Sequence, residues 1–146
     1  MPVPDVLIRA ARAAMANAHA PYSRFPVGAA ILAASGRVHA GANVENAAYP
    51  QGQCAEASAI GAMVTGGDRA IRAVVVMGGD PGDGRLCTPC GGCRQRLREF
   101  AAPDTPVHVC GPEGLRRSFT LAELLPHSFG PDNLGPGAPG SAGGRP

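Results

Sequence analysis

The sequence predicts a single α/β domain whose helices pack against a sheet that contains a parallel pair of strands. Segments with helical spacing alternate with short apolar segments along the chain, and residues 73–110 read as strand, helix, strand. Such a succession joins two parallel strands through a crossover helix. With 146 residues and 45% hydrophobic content, the chain can bury one core but is too short for two ordinary domains.

The first part of the chain is predicted to form a helix followed by a β-hairpin. Apolar residues recur at helical spacing over residues 5–18, and Asp5 can cap the start of this helix. Residues 27–33 are small and apolar, a Ser-Gly turn signal follows, and residues 38–45 are extended again. Two extended segments separated by a turn indicate a hairpin.

The second part is predicted to contain three helices and two strands. Residues 54–64 form a helix that ends at a Gly-Gly pair, and residues 73–77, with three consecutive valines, form a strand buried on both faces. Residues 90–101 form a helix that stops before a proline, residues 107–110 form the next strand, and residues 121–125 form a short final helix.

The C-terminal segment differs in composition from the rest of the chain. Residues 130–146 are mostly glycine and proline and contain one leucine. Such a segment buries too little apolar surface to offset the entropy lost on ordering. We therefore expect a folded domain at residues 1–129 and a disordered tail at residues 130–146.

Composition excludes several functions. All 13 basic residues are arginine, so no lysine can form a Schiff base, hold pyridoxal phosphate or complete a P-loop. A net charge of +2, spread along the chain, and 4% aromatic content argue against nucleic-acid binding. We expect no membrane segment and no secretory signal, because no long apolar run occurs, and hence a cytoplasmic protein.

Three cysteines are the candidate ligands of a metal ion. Cys54 opens one predicted helix, and Cys90 and Cys93 open the next. Cysteines three residues apart face the same side of a first helical turn, so the three thiolates can occupy three of the four tetrahedral positions of zinc. The fourth position stays open for water, as in a catalytic site.

Glu56 is the candidate general acid and base. It lies two residues after Cys54, close to the open metal position without being a ligand itself, and it can take a proton from metal-activated water. Zinc with three thiolates carries a net charge of −1, and the free N–H groups at the two helix starts offset part of that charge.

Two alternatives use the same cysteines differently. Cys87 also forms a Cys-x-x-Cys spacing with Cys90, so four cysteines could make a closed structural zinc site that serves protein binding rather than catalysis. A thiol-redox site is the other alternative, but it leaves Cys54 and Glu56 without a role. Cys87 and Cys110 are interpreted as packed or loop thiols.

Four segments, in order, resemble the small homotetrameric zinc-dependent cytidine deaminases, and the resemblance covers roughly residues 20–129. The segments are PYSRFPVGAA at 21–30, GANVENAAY at 41–49, CAE at 54–56 and PCGGCRQ at 89–95. The resemblance implies a three-layer α/β/α fold with a mixed five-stranded sheet. It also implies one zinc ion per chain on the three cysteines, Glu56 as proton shuttle, and hydrolytic deamination of cytidine and deoxycytidine in pyrimidine salvage.

The resemblance also implies the substrate contacts. Phe25 would lie against the pyrimidine ring, Asn43 and Glu45 would bind the ribose 3′-hydroxyl, and the backbone of Ala55 would hold the base. The partners implied are a small nucleoside and three further copies of the chain, because Tyr49 and Phe129 of neighbouring subunits would close the pocket.

One residue departs from the family pattern. Many members carry an arginine directly after the glutamate, where it hydrogen-bonds the thiolates, but this chain has Ala57. Arg94 or the helix N–H groups are the candidate replacements. The second candidate family is the blasticidin S deaminases, which share the three cysteines and the glutamate but resemble this chain less around residues 43–49.

Overall fold

One mixed five-stranded sheet lies at the centre of the computed structural model, which describes residues 2–135. The strands are β1 (Val27–Ala33), β2 (Val38–Ala42), β3 (Ile71–Gly78), β4 (Pro106–Gly111) and β5 (Gly114–Thr120). Their order across the sheet is β2-β1-β3-β4-β5, with β3 and β4 parallel and the other neighbours antiparallel. The predicted parallel crossover is therefore confirmed.

Helices cover both faces of the sheet. They are α1 (Asp5–Ala16), α2 (Ala55–Thr65), α3 (Gly91–Phe100) and α4 (Leu121–Leu124). Helix α1 packs on one face with Val75 and Met77, whereas the other three helices pack on the opposite face with Val74 and Val76. Because successive strand residues point to opposite faces, the valine run of β3 contributes to both cores. The predicted three-layer α/β/α fold is confirmed.

The start of α1 differs from the prediction. Pro4, not Asp5, is the capping residue, and no side chain accepts a hydrogen bond from the first helical turn. Asp5 is instead the first helical residue, and its carboxylate accepts a hydrogen bond from the Arg9 guanidinium one turn later. Residues four apart on a helix are neighbours, which is why this pair forms in place of the cap.

Strand β5 was not located by sequence pattern, although the resemblance implied five strands. Its sequence, GLRRSFT, places two arginines in succession, and most of its residues are half-buried or exposed because it lies at the edge of the sheet. An edge strand needs no apolar alternation, so its sequence signal is weak.

The predicted tail begins with packed residues. Pro131–Leu134 form a single 3-10 turn, Pro131 is buried, and the Asp132 carboxylate accepts a hydrogen bond of 2.6 Å from Arg98. The packed part of the chain thus extends beyond the predicted boundary at residue 129, since a buried arginine on α3 fixes the segment. Residues 136–146 of the predicted tail lie outside the described residues.

Helix α1 lies very close to strand β1 at Gly28. A Cβ atom at this position would lie 2.0 Å from the Ala11 carbonyl oxygen and 2.6 Å from the Met15 backbone nitrogen. Both are backbone atoms of a packed helix, which cannot move without displacing the whole layer. Glycine is therefore required by space at this position.

We expect Gly28→Ala to lower the free energy of unfolding by about 3 kcal/mol, at the upper end of overpacking penalties. Urea denaturation followed by circular dichroism measures this change. Gly61→Ala is the matched control, because a Cβ at this exposed position of α2 meets nothing within 4 Å and alanine favours a helix over glycine by about 1 kcal/mol. Equal stability of the two variants would contradict the close approach.

His108 is a buried histidine within β4. Its side chain is 0% exposed, and its Nδ1 atom lies 2.7 Å from the Ser118 hydroxyl oxygen. The Nε2 atom has no hydrogen-bond partner among the described residues. Burial lowers the pKa of the imidazole below its ordinary value of 6.5, because the charged form loses its hydration.

This histidine makes folding sensitive to mild acid. Below its ordinary pKa the unfolded chain binds a proton that the folded chain resists, so stability falls as the pH decreases from about 7. The slope for one proton is at most about 1.4 kcal/mol per pH unit. We expect His108→Asn to flatten the pH dependence of the unfolding midpoint, whereas His127→Asn, at an exposed histidine, leaves it unchanged. Identical pH profiles for both variants would refute this account.

Across the part of the chain that the structure describes, no helix combines the length and the apolar character needed to cross a membrane.

Candidate active site

The first turns of α2 and α3 bring three cysteines together. Cys54 is the residue directly before α2, Cys90 is the residue directly before α3, and Cys93 lies in the first turn of α3. The Sγ atoms of Cys54 and Cys90 are 3.9 Å apart, and all three sulfur atoms lie within 4.8 Å of one another. The predicted cluster is present in the structure.

This cluster fits a zinc ion. Two thiolates bound to one tetrahedral zinc at about 2.3 Å have sulfurs about 3.8 Å apart, close to the 3.9 Å between Cys54 and Cys90. Three protein ligands leave one tetrahedral position for a water molecule or a substrate atom, which is the pattern of catalytic rather than structural zinc. The three cysteines are thus positioned to bind the zinc cofactor.

The surroundings affect the three thiols differently. Burial raises the pKa of Cys54 and Cys93, whereas the backbone N–H of Cys93 lowers the pKa of Cys90 by hydrogen-bonding its sulfur. The unbonded N–H groups of a helix start thus act on the cluster as the sequence indicated.

Glu56 lies beside the cysteines in the first turn of α2. Its residue is only 5% exposed, and burial raises the pKa of its carboxyl group. The Cys93 thiol and the positive charge of Arg96 act in the opposite direction, because each favours the carboxylate. A buried carboxyl group next to a metal site with an open position is suited to transfer protons.

The remaining two cysteines lie elsewhere. Cys87 is half-buried and packs on the sheet face that carries α2, α3 and α4. A Cβ at Gly78 would lie 2.7 Å from its Sγ atom. Cys110 is buried in β4 on the side of α1. Burial raises the pKa of each thiol to about 11, so neither is a reactive thiolate. The described residues therefore hold a cluster of three cysteines, not a closed site of four.

The predicted role of Arg94 beside the thiolates is wrong. Its guanidinium donates to two backbone carbonyls, those of Pro89 and Leu124, both at 2.7 Å, and thereby ties the loop before α3 to the end of α4. The guanidinium that reaches a ligand sulfur belongs to Arg96, whose Nη1 lies 3.8 Å from the Cys93 Sγ. Sequence reasoning missed Arg96, although its spacing of three residues from Cys93 is a helical signal.

The Glu45 side chain is held by the loop before β1. Its carboxylate accepts hydrogen bonds from the backbone N–H groups of Tyr22 and Ser23, at 2.9 and 3.1 Å, and from the Ser23 hydroxyl. These hydrogen bonds lower the pKa of Glu45, and the bond from the Ser23 hydroxyl has the largest effect. An ionised, oriented carboxylate is a good acceptor for a hydroxyl group of a ligand.

Asn43 and Phe25 are linked to each other. The Asn43 side chain accepts a hydrogen bond of 2.9 Å from the Val27 N–H and donates one of 2.9 Å to the Phe25 carbonyl. Asn43 therefore fixes the path of the chain at the start of β1, and one amide hydrogen and one lone pair are left for a ligand.

An open cavity lies next to these residues. Its volume is about 420 Å³, and its lining includes Tyr22, Glu45 and Tyr49. The rings of Tyr22 and Tyr49 meet edge to face with centroids 6.0 Å apart. A β-bridge joins Val44, the residue before Glu45, to Gln53, the residue before Cys54. Ala55, the first residue of α2, is fully buried.

Phe129 lies next to α3, and its residue is 59% exposed. The Gln95 side chain donates a hydrogen bond of 2.8 Å to its carbonyl, and the Arg98 Nε donates one of 2.9 Å to the Ser128 hydroxyl. Helix α3 therefore fixes the backbone on which Phe129 stands, while the ring itself faces solvent in the single chain.

The sequence matches one protein family over most of its length. Residues 3–109 match the family model of the cytidine and deoxycytidylate deaminase zinc-binding region. A cytidine deaminase of Sporosarcina psychrophila is 39% identical over 130 residues, which are 89% of this chain and 93% of that protein. A cytidine deaminase of Mycobacterium tuberculosis H37Rv is 43% identical over 123 residues, covering 83% and 85% of the two chains.

Solved structures of cytidine deaminases are similar to this chain in fold as well as in sequence. The crystal structure of cytidine deaminase from Burkholderia pseudomallei superposes with a TM-score of 0.79 at 38% identity, over 88% of this chain and all (100%) of that one. Cytidine deaminase from Mycobacterium tuberculosis gives a TM-score of 0.74 at 37% identity, over 86% and 96% of the two chains. Family match, cysteine cluster and fold lead to one conclusion: the chain belongs to the cytidine and deoxycytidylate deaminase family.

Proposed function

We propose that the protein removes the amino group of cytidine and deoxycytidine by hydrolysis, giving uridine or deoxyuridine and ammonia. One observation carries this proposal: three cysteine sulfurs within 4.8 Å of one another, which leave a metal position open, beside the buried carboxyl group of Glu56. A closed four-cysteine site would have no open position, and a redox site would not need the carboxyl group.

The chemistry that a bound zinc ion supplies in this site is Lewis-acid activation of a water molecule. Glu56 takes a proton from that water and delivers it to ring atom N3 as the oxygen bonds to C4. The same carboxylate then takes the proton of the new C4 hydroxyl and delivers it to the amino nitrogen. As the C4=O double bond forms, the C4–N bond breaks and ammonia leaves. The burial of Glu56 excludes bulk water from these transfers and raises the pKa of its carboxyl group above its ordinary value.

Four residues are proposed to bind the substrate. Phe25 lies against the pyrimidine ring, the backbone of Ala55 binds the base, and Asn43 and Glu45 bind the ribose 3′-hydroxyl. The hydrogen bonds from Ser23 and Tyr22 that orient Glu45 support this assignment. Polar groups that the bound nucleoside encloses would be left unpaired by a free base, which disfavours cytosine by a large factor.

The active form is a homotetramer in which Tyr49 and Phe129 of neighbouring subunits close the pocket. Both side chains are exposed in the single chain, at 76% and 59%, and Tyr49 forms an exposed aromatic pair with Tyr22. A contiguous exposed patch of this kind marks an interaction surface, which supports the proposal. Analytical ultracentrifugation is expected to give the mass of four chains, and a monomer with full activity would contradict the shared pocket.

We propose a cellular setting for this reaction. A nucleoside deaminase of this kind serves pyrimidine salvage in the cytoplasm and acts on a small molecule, with neither nucleic acid nor a membrane as its partner. The net charge of +2 and the scattered arginines support this assignment. The catalytic domain, predicted at residues 1–129, extends through the packed turn Pro131–Leu134, and the rest of the Gly/Pro-rich segment is its tail.

A substrate panel tests the proposed function. We expect the purified protein to convert cytidine and deoxycytidine with similar kcat/KM values, and cytosine at least about 10³-fold less efficiently, because the ribose contacts are lost. Deoxycytidylate and blasticidin S complete the panel. Preference for blasticidin S over cytidine would overturn the proposal in favour of the other three-cysteine family.

A further inference from the structure

The metal site carries excess negative charge. Three thiolates and one zinc ion sum to −1, and an ionised Glu56 adds a further −1 at a position that is 5% exposed. Cys93 is fully buried, so water does little to screen the charge on its sulfur. The site needs a positive charge close to the sulfurs, and the residue after Glu56 is the uncharged Ala57.

Arg96 lies where such a charge is needed. It follows Cys93 by three residues on α3, and helical side chains lean toward the N-terminus, so its guanidinium extends back over the first turn. Its Nη1 donates to the Cys93 Sγ at 3.8 Å. Gly92 leaves room for this path, since a Cβ there would lie 3.3 Å from the same nitrogen and 4.0 Å from the Cys90 Sγ.

The neighbouring arginines are engaged elsewhere. Arg94 donates to backbone carbonyls, and Arg98 binds Ser128 and Asp132. Among the described residues, Arg96 is the arginine whose guanidinium hydrogen-bonds a sulfur of the cluster.

We propose that Arg96 is a positioning residue that stabilises the zinc-loaded three-thiolate site by hydrogen-bonding the Cys93 sulfur and offsetting its negative charge. This inference rests on the proposed zinc chemistry. It assigns to a side chain of α3 the compensating charge that Ala57 does not provide.

The sign of the effect follows from charge balance. Zinc binding replaces the protons of three thiols by one divalent cation, so the site becomes one unit more negative. A guanidinium beside a sulfur favours that change, and its loss disfavours it. Removing Arg96 therefore weakens zinc retention rather than strengthening it. The guanidinium also draws charge from the sulfur, so its loss makes the metal a weaker Lewis acid and lowers kcat more than it raises KM.

Zinc retention is the test. Zinc-loaded wild type, Arg96→Met, Arg96→Lys and Arg9→Met are mixed with excess of a chromogenic chelator, and zinc release is followed by absorbance. Arg9 is an exposed arginine on α1, on the opposite face of the sheet, and controls for the loss of one charge. We expect roughly tenfold faster release from Arg96→Met, a value between wild type and this variant for Arg96→Lys, and no change for Arg9→Met.

Steady-state kinetics with saturating zinc provides the second readout. A loss of kcat in Arg96→Met with nearly unchanged KM, partly restored in Arg96→Lys, supports the proposal. Release and kcat equal to those of wild type overturn it, as does a loss that lysine does not restore and that follows a lowered melting temperature. A wild type that neither holds zinc nor deaminates cytidine would instead overturn the proposed function, so the two failures are distinguishable.

Discussion

Replacing Glu56 with glutamine is expected to lower kcat for cytidine by about 10²- to 10⁴-fold, the usual contribution of a general acid and base. Glutamine has nearly the same shape but cannot accept and return a proton. Two transfers in the proposed reaction pass through this one carboxylate, so the effect should lie at the upper end of that range. The decrease in ultraviolet absorbance on conversion of cytidine to uridine measures it.

The control for this variant is Glu99→Gln, which removes an exposed carboxylate from α3. Zinc content and the melting temperature of Glu56→Gln should equal those of wild type within error, because glutamine keeps the packing of the site. If Glu56→Gln lost its zinc, Glu56 would be a metal ligand rather than a proton carrier. Wild-type turnover in this variant would remove Glu56 from the mechanism.

The second large effect is expected at Cys93. Cys93→Ser replaces a buried thiolate ligand by a hydroxyl group that binds zinc poorly, so we expect the zinc content to fall well below one ion per chain and activity to disappear. Ligand binding also stabilises the fold, by about 2.7 kcal/mol at a free concentration of 100 Kd, so the melting temperature should fall as well. Metal analysis and differential scanning calorimetry measure both quantities.

Cys87→Ser is the matched control. The thiol of Cys87 is half-buried against Gly78, three residues before Cys90, and is not part of the three-cysteine cluster. We expect this variant to keep its zinc and its turnover. Loss of zinc from Cys87→Ser to the same extent as from Cys93→Ser would indicate a closed four-cysteine site and a structural rather than catalytic metal.

The elements near the metal cluster were predictable because their signals are local. Helix starts at Cys54 and Cys90 follow from the loops before them, and the valine run of β3 indicates a doubly buried strand. Both signals depend on a few consecutive residues, so they can be recognised in the sequence without knowledge of tertiary contacts. The parallel crossover then follows from the order of the elements, whereas the three-layer fold was implied by the family resemblance.

Features that depend on packing were not predictable in the same way. Strand β5 forms because it pairs with β4 at the sheet edge, and its sequence has no apolar pattern that would predict it. The 3-10 turn after residue 130 forms because the buried Arg98 binds Asp132, a contact across 34 residues. Composition alone marked that stretch as part of the tail, since glycine and proline dominate it.

The choice between Arg94 and Arg96 illustrates the same limit within one helix. Both residues lie near Cys93 in sequence, and only the carbonyls of Pro89 and Leu124 decide that Arg94 turns away from the sulfurs. Those carbonyls come from a loop and from the end of α4. The helical spacing from Cys93 to Arg96 was present in the sequence, but it does not by itself tell a thiolate contact from a solvated arginine.

The most direct test of a zinc-dependent cytidine deaminase is the absorbance of cytidine incubated with the protein as purified, after removal of its metal by a chelator, and after zinc is restored. The account predicts conversion to uridine with one ammonia per nucleoside in the first and third samples and none in the second. Equal conversion in all three, or none in any while one zinc ion per chain stays tightly bound, would contradict it.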